Sequence, residues 1–304
     1  MRDLSVGPHV LTNRKRAGFP TYVSLCTKKL RSAAFDLRRG RANAWCHSMD
    51  RAFFAELSTA ARAAIDLELR RGLDWDNKLD GGFDPVTEAD RAAERALRAA
   101  IEARYPEHGV TGEEYGSVRA DAPVQWSLDP VDGTRALVCG LPSWAILVGL
   151  IDNGKHIAGM IDLPAIDECL VAVNGETLRN GRPVKSSGCR QLAEARLSTT
   201  DPNLFQGQEL EAFEGVRRSC RLTRFGLDAL AYGRVATGDI DLVIENGLKP
   251  HDYDALVAVV RGAGGHIGNW TGGGDLGGGS VVAAASQELY QRAVERLSAC
   301  KAIR

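Results

Sequence analysis

The chain lacks the features that mark metal–thiolate, disulfide-rich and membrane proteins. Its seven cysteines are scattered, odd in number and never arranged as C-x-x-C, so they indicate neither a zinc site nor a disulfide framework. The longest strongly apolar run, 145–151, is far shorter than the roughly 20 residues that a membrane-spanning helix needs. A formal net charge of -1 provides no general basic surface for nucleic acid. We therefore expect reduced thiols, a cytoplasmic location, and no nucleic-acid or membrane partner.

The composition is otherwise that of an ordinary globular chain, with one segment set apart. The sequence has 304 residues and a hydrophobic content of 44%, enough for one large domain or two sub-domains that share a cleft. Residues 1–48 differ, because they carry ten basic and only two acidic side chains. A transit peptide or a nucleic-acid-binding arm fits this pattern, but Met49 directly precedes an amphipathic segment. We favour a disordered extension or an upstream start codon.

Periodicity predicts an α+β sub-domain over residues 49–185. Apolar residues at helical spacings predict a helix over 53–71, and an N-terminal pattern at Thr87 predicts a second helix that extends to Tyr105. Strands are predicted at 124–128, 144–151 and 156–161, with turns at 152–155, 174–175 and 180–183. This half should consist of helices packed on a largely antiparallel sheet.

Strands and helices alternate over residues 186–304, which predicts an α/β sub-domain that completes the active cleft. The predicted strands are 196–199, 222–225, 242–244 and 280–284, and the predicted helices are 208–218, 228–237, 251–261 and 287–299. The fold class of the whole chain is therefore expected to be α/β.

Four acidic segments stand where predicted elements begin or end: 84–90, 112–114, 129–134 and 251–255. Hard divalent cations such as Mg²⁺ take oxygen ligands and usually keep several waters. Carboxylates at strand ends and loop corners around one cleft would form a suitable cage. The sequence therefore predicts a magnesium site.

The segment 129–134 combines features for both metal and phosphate binding. Pro130 fixes the backbone after Asp129, so that Asp132 can turn back to the same ion. Gly133 allows the backbone to approach a phosphate, and a helix starting at Thr134 would offer free amides to phosphate oxygens. The neighbouring Arg135 is a further candidate for substrate contact, with a solvated surface arginine as the alternative.

These motifs, in this order and followed by Gly264-Gly265, resemble the inositol monophosphatase family over about residues 50 to 300. The stretches Phe83–Arg91, Thr199–Pro202 and Gly247–Asp252 are most similar to the histidinol-phosphate phosphatase branch. The resemblance implies a layered αβαβα sandwich, a homodimer, a small phosphorylated metabolite as substrate, and about two to three Mg²⁺ ions.

The resemblance also implies roles for individual residues. The implied metal ligands are Glu113, Asp129, Asp132, Asp252, the carbonyl of Val131 and, for a more weakly bound ion, Asp90. The implied catalytic residues are Asp90, Thr134 and Glu113, with Asp90 and Thr134 paired to orient or deprotonate the attacking water. The implied phosphate and substrate contacts are Gly133, Thr134, Arg135 and Asp252.

Two departures leave the substrate open. His251 stands where the family commonly has Trp and the branch often has Tyr, and Leu227-Asp228-Ala229 differs from the branch. We expect hydrolysis of L-histidinol phosphate, with Asp228 and Asp254 as candidates for its ammonium. The alternatives are inositol 1-phosphate or another sugar or polyol phosphate, and a non-catalytic RNA- or protein-binding member that uses the basic leader.

Overall fold

The computed structural model describes residues 51–72, 75–77 and 85–299, which all lie in one compact unit, Asn43–Arg304. The predicted extension 1–48 and part of the first acidic segment lie outside the described residues. The predicted sub-domain boundary after residue 185 stays a prediction.

Two long helices form the first layer. α1 (Arg51–Arg71) and α2 (Glu88–Arg104) bury the apolar stripes that their sequences predict, with Phe54 and Leu97 completely inaccessible to solvent. The hydroxyl of Thr87 caps α2 by accepting a hydrogen bond from the N–H of Ala89. The short strands β1 (Trp75–Asn77) and β2 (Pro85–Thr87) pair antiparallel before α2 begins.

The second layer is an eight-stranded sheet with the order β10-β9-β8-β7-β6-β5-β3-β4. Its strands are β3 (Gly109–Gly112), β4 (Gly116–Val118), β5 (Val124–Asp132), β6 (Ala145–Asp152), β7 (Lys155–Leu163), β8 (Glu168–Val173), β9 (Glu176–Arg179) and β10 (Arg182–Pro183). Among the described pairings within this sheet, only that of β3 with β5 is parallel, so the predicted hairpins and the antiparallel character of the sheet are confirmed.

The remaining strands form a five-stranded sheet with the order β12-β11-β13-β15-β14. They are β11 (Arg196–Thr199), β12 (Leu222–Phe225), β13 (Leu242–Glu245), β14 (His266–Gly268) and β15 (Val281–Ala284). The other helices are α3 (Thr134–Val138), α4 (Gln208–Arg217), α5 (Ala229–Thr237), α6 (Pro250–Gly262) and α7 (Gln287–Ala299), and short 3-10 turns cover Pro164–Ile166, Leu192–Glu194 and Pro202–Leu204.

Three apolar cores hold the layers together and confirm the αβαβα sandwich. One joins α1 and α2 to the large sheet, the second joins that sheet to α5, α6 and the small sheet, and the third joins the small sheet to α4 and α7. Successive side chains of β6 point to opposite faces of the sheet, so this strand contributes to two of these cores: Ile146 packs in the first and Leu147 in the second.

Glycines let α6 lie directly on the large sheet. A β-carbon on Gly159 would stand 2.3 Å from the carbonyl oxygen of Ala255, and one on Gly149 would stand 2.9 Å from the β-carbon of Asp254. Both distances are shorter than van der Waals contact, so larger residues would push the helix away. The close approach brings the N-terminal end of α6 beside the end of β5.

The structure also departs from the predicted elements. β5 was expected to end at Leu128, but it continues to Asp132, with an irregular register opposite β6 between Asp129 and Asp132. The three-residue strands β4 and β14 were not predicted, because so short a run carries no readable alternation. Among the described helices, none is both long and apolar enough to cross a bilayer.

Candidate active site

Three aspartates meet where β5 ends and α6 begins. Asp129, Asp132 and Asp252 each offer a carboxylate oxygen, and these oxygens all lie within 4.8 Å of one another. The first two are carried by β5 and the third by the first turn of α6. More than a hundred residues of chain separate Asp132 from Asp252, so the layered fold makes this cluster.

The two aspartates of β5 are held by backbone N–H groups. Oδ1 of Asp129 accepts a hydrogen bond of 3.0 Å from the N–H of Val131, and Oδ2 of Asp132 accepts one of 2.7 Å from the N–H of Ala229. Burial raises the pKa of Asp129 well above its usual value, and the charge of Glu113 adds to the rise. Burial likewise raises the pKa of Asp132.

Asp252 is fixed by the start of its own helix. Its Oδ2 accepts a hydrogen bond of 2.7 Å from the N–H of Lys249, while the Asp252 N–H donates to the Lys249 carbonyl. Nε2 of His251 lies 3.5 Å from Oδ1 of Asp252. Burial raises the pKa of Asp252, and the neighbouring His251 opposes that rise. The histidine that replaces the family's aromatic residue therefore contacts the predicted ligand.

Glu113 lies beside the cluster but outside its tight centre. Its N–H donates to the Leu128 carbonyl at 3.1 Å, which carries the pairing of β3 with β5 one residue further towards the site. The Glu113 carboxylate contributes to the raised pKa values of Asp129 and Asp252. The three aspartates thus form the compact group, and Glu113 adds a fourth carboxyl group at its edge.

Asp90 and Thr134 meet at the same place. The Thr134 hydroxyl lies 3.2 Å from Oδ1 of Asp90 and 3.0 Å from the carbonyl oxygen of Val131, and its single proton can serve one acceptor at a time. Oδ2 of Asp90 accepts a hydrogen bond of 2.9 Å from the Thr87 N–H. Burial raises the pKa of Asp90 to about 6, despite the opposing bonds from Thr87.

The donor set fits a hard divalent cation. The converging groups are carboxylates: burial raises the pKa values of Asp129, Asp132 and Asp252, and repulsion from the neighbouring Glu113 adds to each rise. A divalent cation between them would offset both effects and stabilise the ionised forms. Carboxylate oxygens are also the ligands that Mg²⁺ prefers. The site's own electrostatics therefore favour a bound cation.

Gly133 connects β5 to Thr134, the residue that meets Asp90. Its φ of +79° lies in the left-handed region, and a β-carbon there would stand 3.0 Å from Oδ2 of Asp228. The following helix α3 has only five residues, and Arg135 within it is exposed. The predicted phosphate contacts of Gly133, Thr134 and Arg135 stay predictions.

Of the two candidates for an ammonium partner, only Asp228 lies at the site. Its backbone has φ 47° and ψ -140°, a strained combination for a residue other than glycine, and burial raises its pKa to about 6 while Arg135 opposes the rise. Asp254 instead lies 2.8 Å from Nε2 of His156 and packs against Gly149 of the sheet.

Sequence reasoning missed two buried glutamates near the site. Glu245, at the end of β13, accepts a hydrogen bond of 2.6 Å from the Thr200 N–H, and burial raises its pKa to about 8. Glu94 of α2 contacts the loop that carries Glu113. Glu245 follows the predicted strand 242–244 and precedes the turn residues Asn246-Gly247, so its place at a strand end could have identified it as a candidate site residue. Glu94 offered none, since an acidic residue in a helix is ordinarily exposed.

Comparison with known proteins gives a consistent result. The profile of the inositol monophosphatase family matches residues 48–302. The bifunctional phosphatase IMPL2, chloroplastic, of Arabidopsis thaliana is 38% identical over 79% of this chain and 72% of that protein. A histidinol-phosphatase of Mycobacterium tuberculosis is 33% identical over 80% of this chain and 93% of that protein.

A solved structure extends the likeness to three dimensions. An inositol monophosphatase from Zymomonas mobilis superimposes with a TM-score of 0.73 and 37% identity, covering 81% of this chain and 96% of that chain. The profile match, these similarities and the shared sandwich lead to one conclusion: the chain belongs to the inositol monophosphatase family.

Proposed function

We propose that this phosphatase hydrolyses L-histidinol phosphate to L-histidinol and inorganic phosphate, a step of histidine biosynthesis, with Mg²⁺ as its cofactor. The observation that carries the proposal is the cluster of Asp129, Asp132 and Asp252, whose oxygens lie within 4.8 Å of one another at the junction of β5 and α6. The homodimer that the resemblance implies is part of the same proposal.

The residues that would hold the cofactor are those of the cluster and its edge. The proposed ligands are Asp129, Asp132, Asp252, Glu113 and the carbonyl of Val131, with Asp90 for a further ion and about two to three ions in total. When bound, Mg²⁺ supplies positive charge that polarises the phosphate ester and acidifies water in contact with it.

Asp90 and Thr134 would prepare the attacking water. While the Thr134 hydroxyl donates to Oδ1 of Asp90, its lone pairs can accept a proton from water, and the carboxylate can take up the hydroxyl proton in turn. The water oxygen forms the new bond to phosphorus as the ester P–O bond breaks. The alcohol oxygen leaves with a proton from solvent, so no covalent phosphoenzyme is needed.

Asp228 supplies the reason to favour a substrate that carries an ammonium group. It lies at the start of α5, against Gly133 of the metal-binding segment, and its burial makes the ionised form costly, a cost that Arg135 offsets only in part. The ammonium of histidinol phosphate would add a second positive charge beside the Asp228 carboxylate, whereas a polyol has no charge to offer. Similarity to a histidinol-phosphatase supports the same choice.

The test compares two substrates in two variants. We expect Asp228→Asn to lower kcat/KM for histidinol phosphate about 30-fold or more, as expected for truncation of a buried charge pair, and to leave the value for inositol 1-phosphate nearly unchanged. Asp121→Asn, which changes an exposed aspartate in the loop before β5, is the matched control. Equal losses on both substrates would refute the role of Asp228.

A second candidate is an inositol or other polyol monophosphatase that uses the same metal chemistry. The likeness to the inositol monophosphatase from Zymomonas mobilis supports it. Initial rates on both esters separate the two candidates, because each assigns the higher kcat/KM to a different ester. Faster hydrolysis of inositol phosphate by the unmodified protein would overturn the histidinol assignment.

A further inference from the structure

Glu94 is a buried carboxylate whose contacts lie in the loop next to the proposed ligand Glu113. Its side chain is completely buried on α2. Oε2 accepts a hydrogen bond of 2.7 Å from the Glu114 N–H, and Oε1 accepts one of 3.2 Å from the Tyr115 N–H. Both donors belong to the turn between β3 and β4, which starts directly at Glu113.

Arg98 completes this clamp from the next turn of α2. Its Nε donates to Oε1 of Glu94 at 2.7 Å, and its Nη2 donates to the carbonyl of Gly116. The fit leaves no spare room, because a β-carbon on Gly112 would stand only 2.1 Å from Oε1 of Glu94. The side chain pair therefore touches the turn on both sides of Glu113.

These contacts fix the peptide groups that bracket Glu113. Its own N–H is bonded to Leu128 of β5, and the next N–H along the chain is bonded to Glu94. With both peptide planes held, the direction in which the Glu113 side chain leaves the backbone is set. That side chain is the fourth carboxyl group at the aspartate cluster.

The same helix also holds the other half of the site. Asp90 stands one helical turn before Glu94 and contacts the Thr134 hydroxyl. The buried face of α2 thus contacts both the loop that carries Glu113 and Thr134 at the start of α3. We propose that Glu94 is a positioning residue, which holds Glu113 in the direction required to bind the metal; this inference rests on the proposed function.

The test measures metal affinity without substrate, because a merely structural contact would leave it unchanged. Mn²⁺ serves as the probe in calorimetric titrations of the full chain, and the fold is checked by thermal unfolding in EDTA. Glu94→Gln leaves only one acceptor oxygen for two backbone N–H donors. We expect it to bind Mn²⁺ about 10- to 100-fold more weakly than the unmodified protein, as for other groups that orient metal ligands.

The control is Glu102→Gln, the same substitution at an exposed position of α2, where the glutamate pairs with Arg119 at 3.2 Å. We expect this variant to keep the unmodified Mn²⁺ affinity. A folded Glu94→Gln protein that also keeps it would overturn the inference. Failure of the unmodified protein to bind Mn²⁺ would instead refute the proposed cofactor, so the two failures are distinguishable.

A second variant covers the case in which Glu94→Gln does not fold. Gly112→Ala keeps the glutamate at position 94, but the added methyl group would displace its carboxylate from the turn. We expect the same weakening of Mn²⁺ binding. Unchanged affinity in this variant contradicts the inference. Loss of the fold in both variants contradicts it as well, since Glu94 would then hold the fold together rather than direct a ligand.

Discussion

Glu245→Gln should make the free energy of unfolding of the metal-free protein less dependent on pH. Glu245 is 2% exposed, and burial raises its pKa from the ordinary value of 4.5 to about 8. At about 1.4 kcal/mol per pKa unit, this rise means that ionising Glu245 costs about 5 kcal/mol more in the folded than in the unfolded state. Because the Glu245 carboxyl is buried, solvent screening reduces this free-energy difference only slightly.

The raised pKa of Glu245 makes the folded protein less stable as the pH rises. A carboxyl whose pKa is higher in the folded than in the unfolded state stabilises the fold below the unfolded pKa and loses that contribution as pH rises through the folded value. From pH 5 to pH 8 the free energy of unfolding should therefore fall by about 3 to 4 kcal/mol through Glu245 alone. Glutamine does not titrate, so the variant lacks this component.

Glutamine also keeps the hydrogen bonds, which makes it a fair replacement. Its amide oxygen can accept from the Thr200 N–H, and its NH₂ group can donate to the Thr199 hydroxyl. Urea unfolding in EDTA at pH 5 and pH 8 measures the difference, and the other buried carboxyls are common to both proteins. Identical pH dependence in the variant and the unmodified protein would refute the reasoning.

Three further predictions concern catalysis. Thr134→Ala should lower kcat about 10²- to 10⁴-fold with little change in KM, and Thr134→Ser should keep most of the kcat of the unmodified protein. Steady-state kinetics that show full activity in the alanine variant would exclude a role for the hydroxyl. The value of kcat/KM should fall at acid pH with a midpoint at or below about 6, because only the ionised Asp90 can accept a proton. Burial raises the pKa of Asp90 to about 6, and a nearby cation lowers it. A pH profile of kcat/KM that is flat down to pH 4.5 would contradict this. Deletion of residues 1–48 should leave kcat/KM unchanged, and lost binding of RNA or protein with the acidic motifs intact would favour the non-catalytic alternative instead.

Local patterns were sufficient to predict most elements. α1 and α2 begin within two residues of their predicted starts, because their apolar spacing and the Thr87 cap are encoded in neighbouring residues. The hairpin of β6 and β7 follows in the same way from its Asn153-Gly154 turn. In these elements the information lies within a few residues of chain.

The contacts that complete the site could not be predicted in that way. Glu94 meets the Glu114 N–H across 20 residues, and Asp132 meets the Ala229 N–H across 97, so both depend on how the layers pack. The end of β5 was placed too early because Pro130 indicates a break in a strand, whereas the structure accommodates it at a register irregularity. The acidic motifs predicted the three aspartates that meet at the site, and only the tertiary structure shows which groups hold them there.

Phosphate release from L-histidinol phosphate, with and without Mg²⁺, is the most direct test of the account. The unmodified protein should release phosphate only when Mg²⁺ is present, should do so faster than from inositol 1-phosphate, and should lose nearly all activity in Asp132→Asn. Release that persists in EDTA, or an Asp132→Asn protein as active as the unmodified one, would contradict the claim that the aspartate cluster holds the catalytic metal.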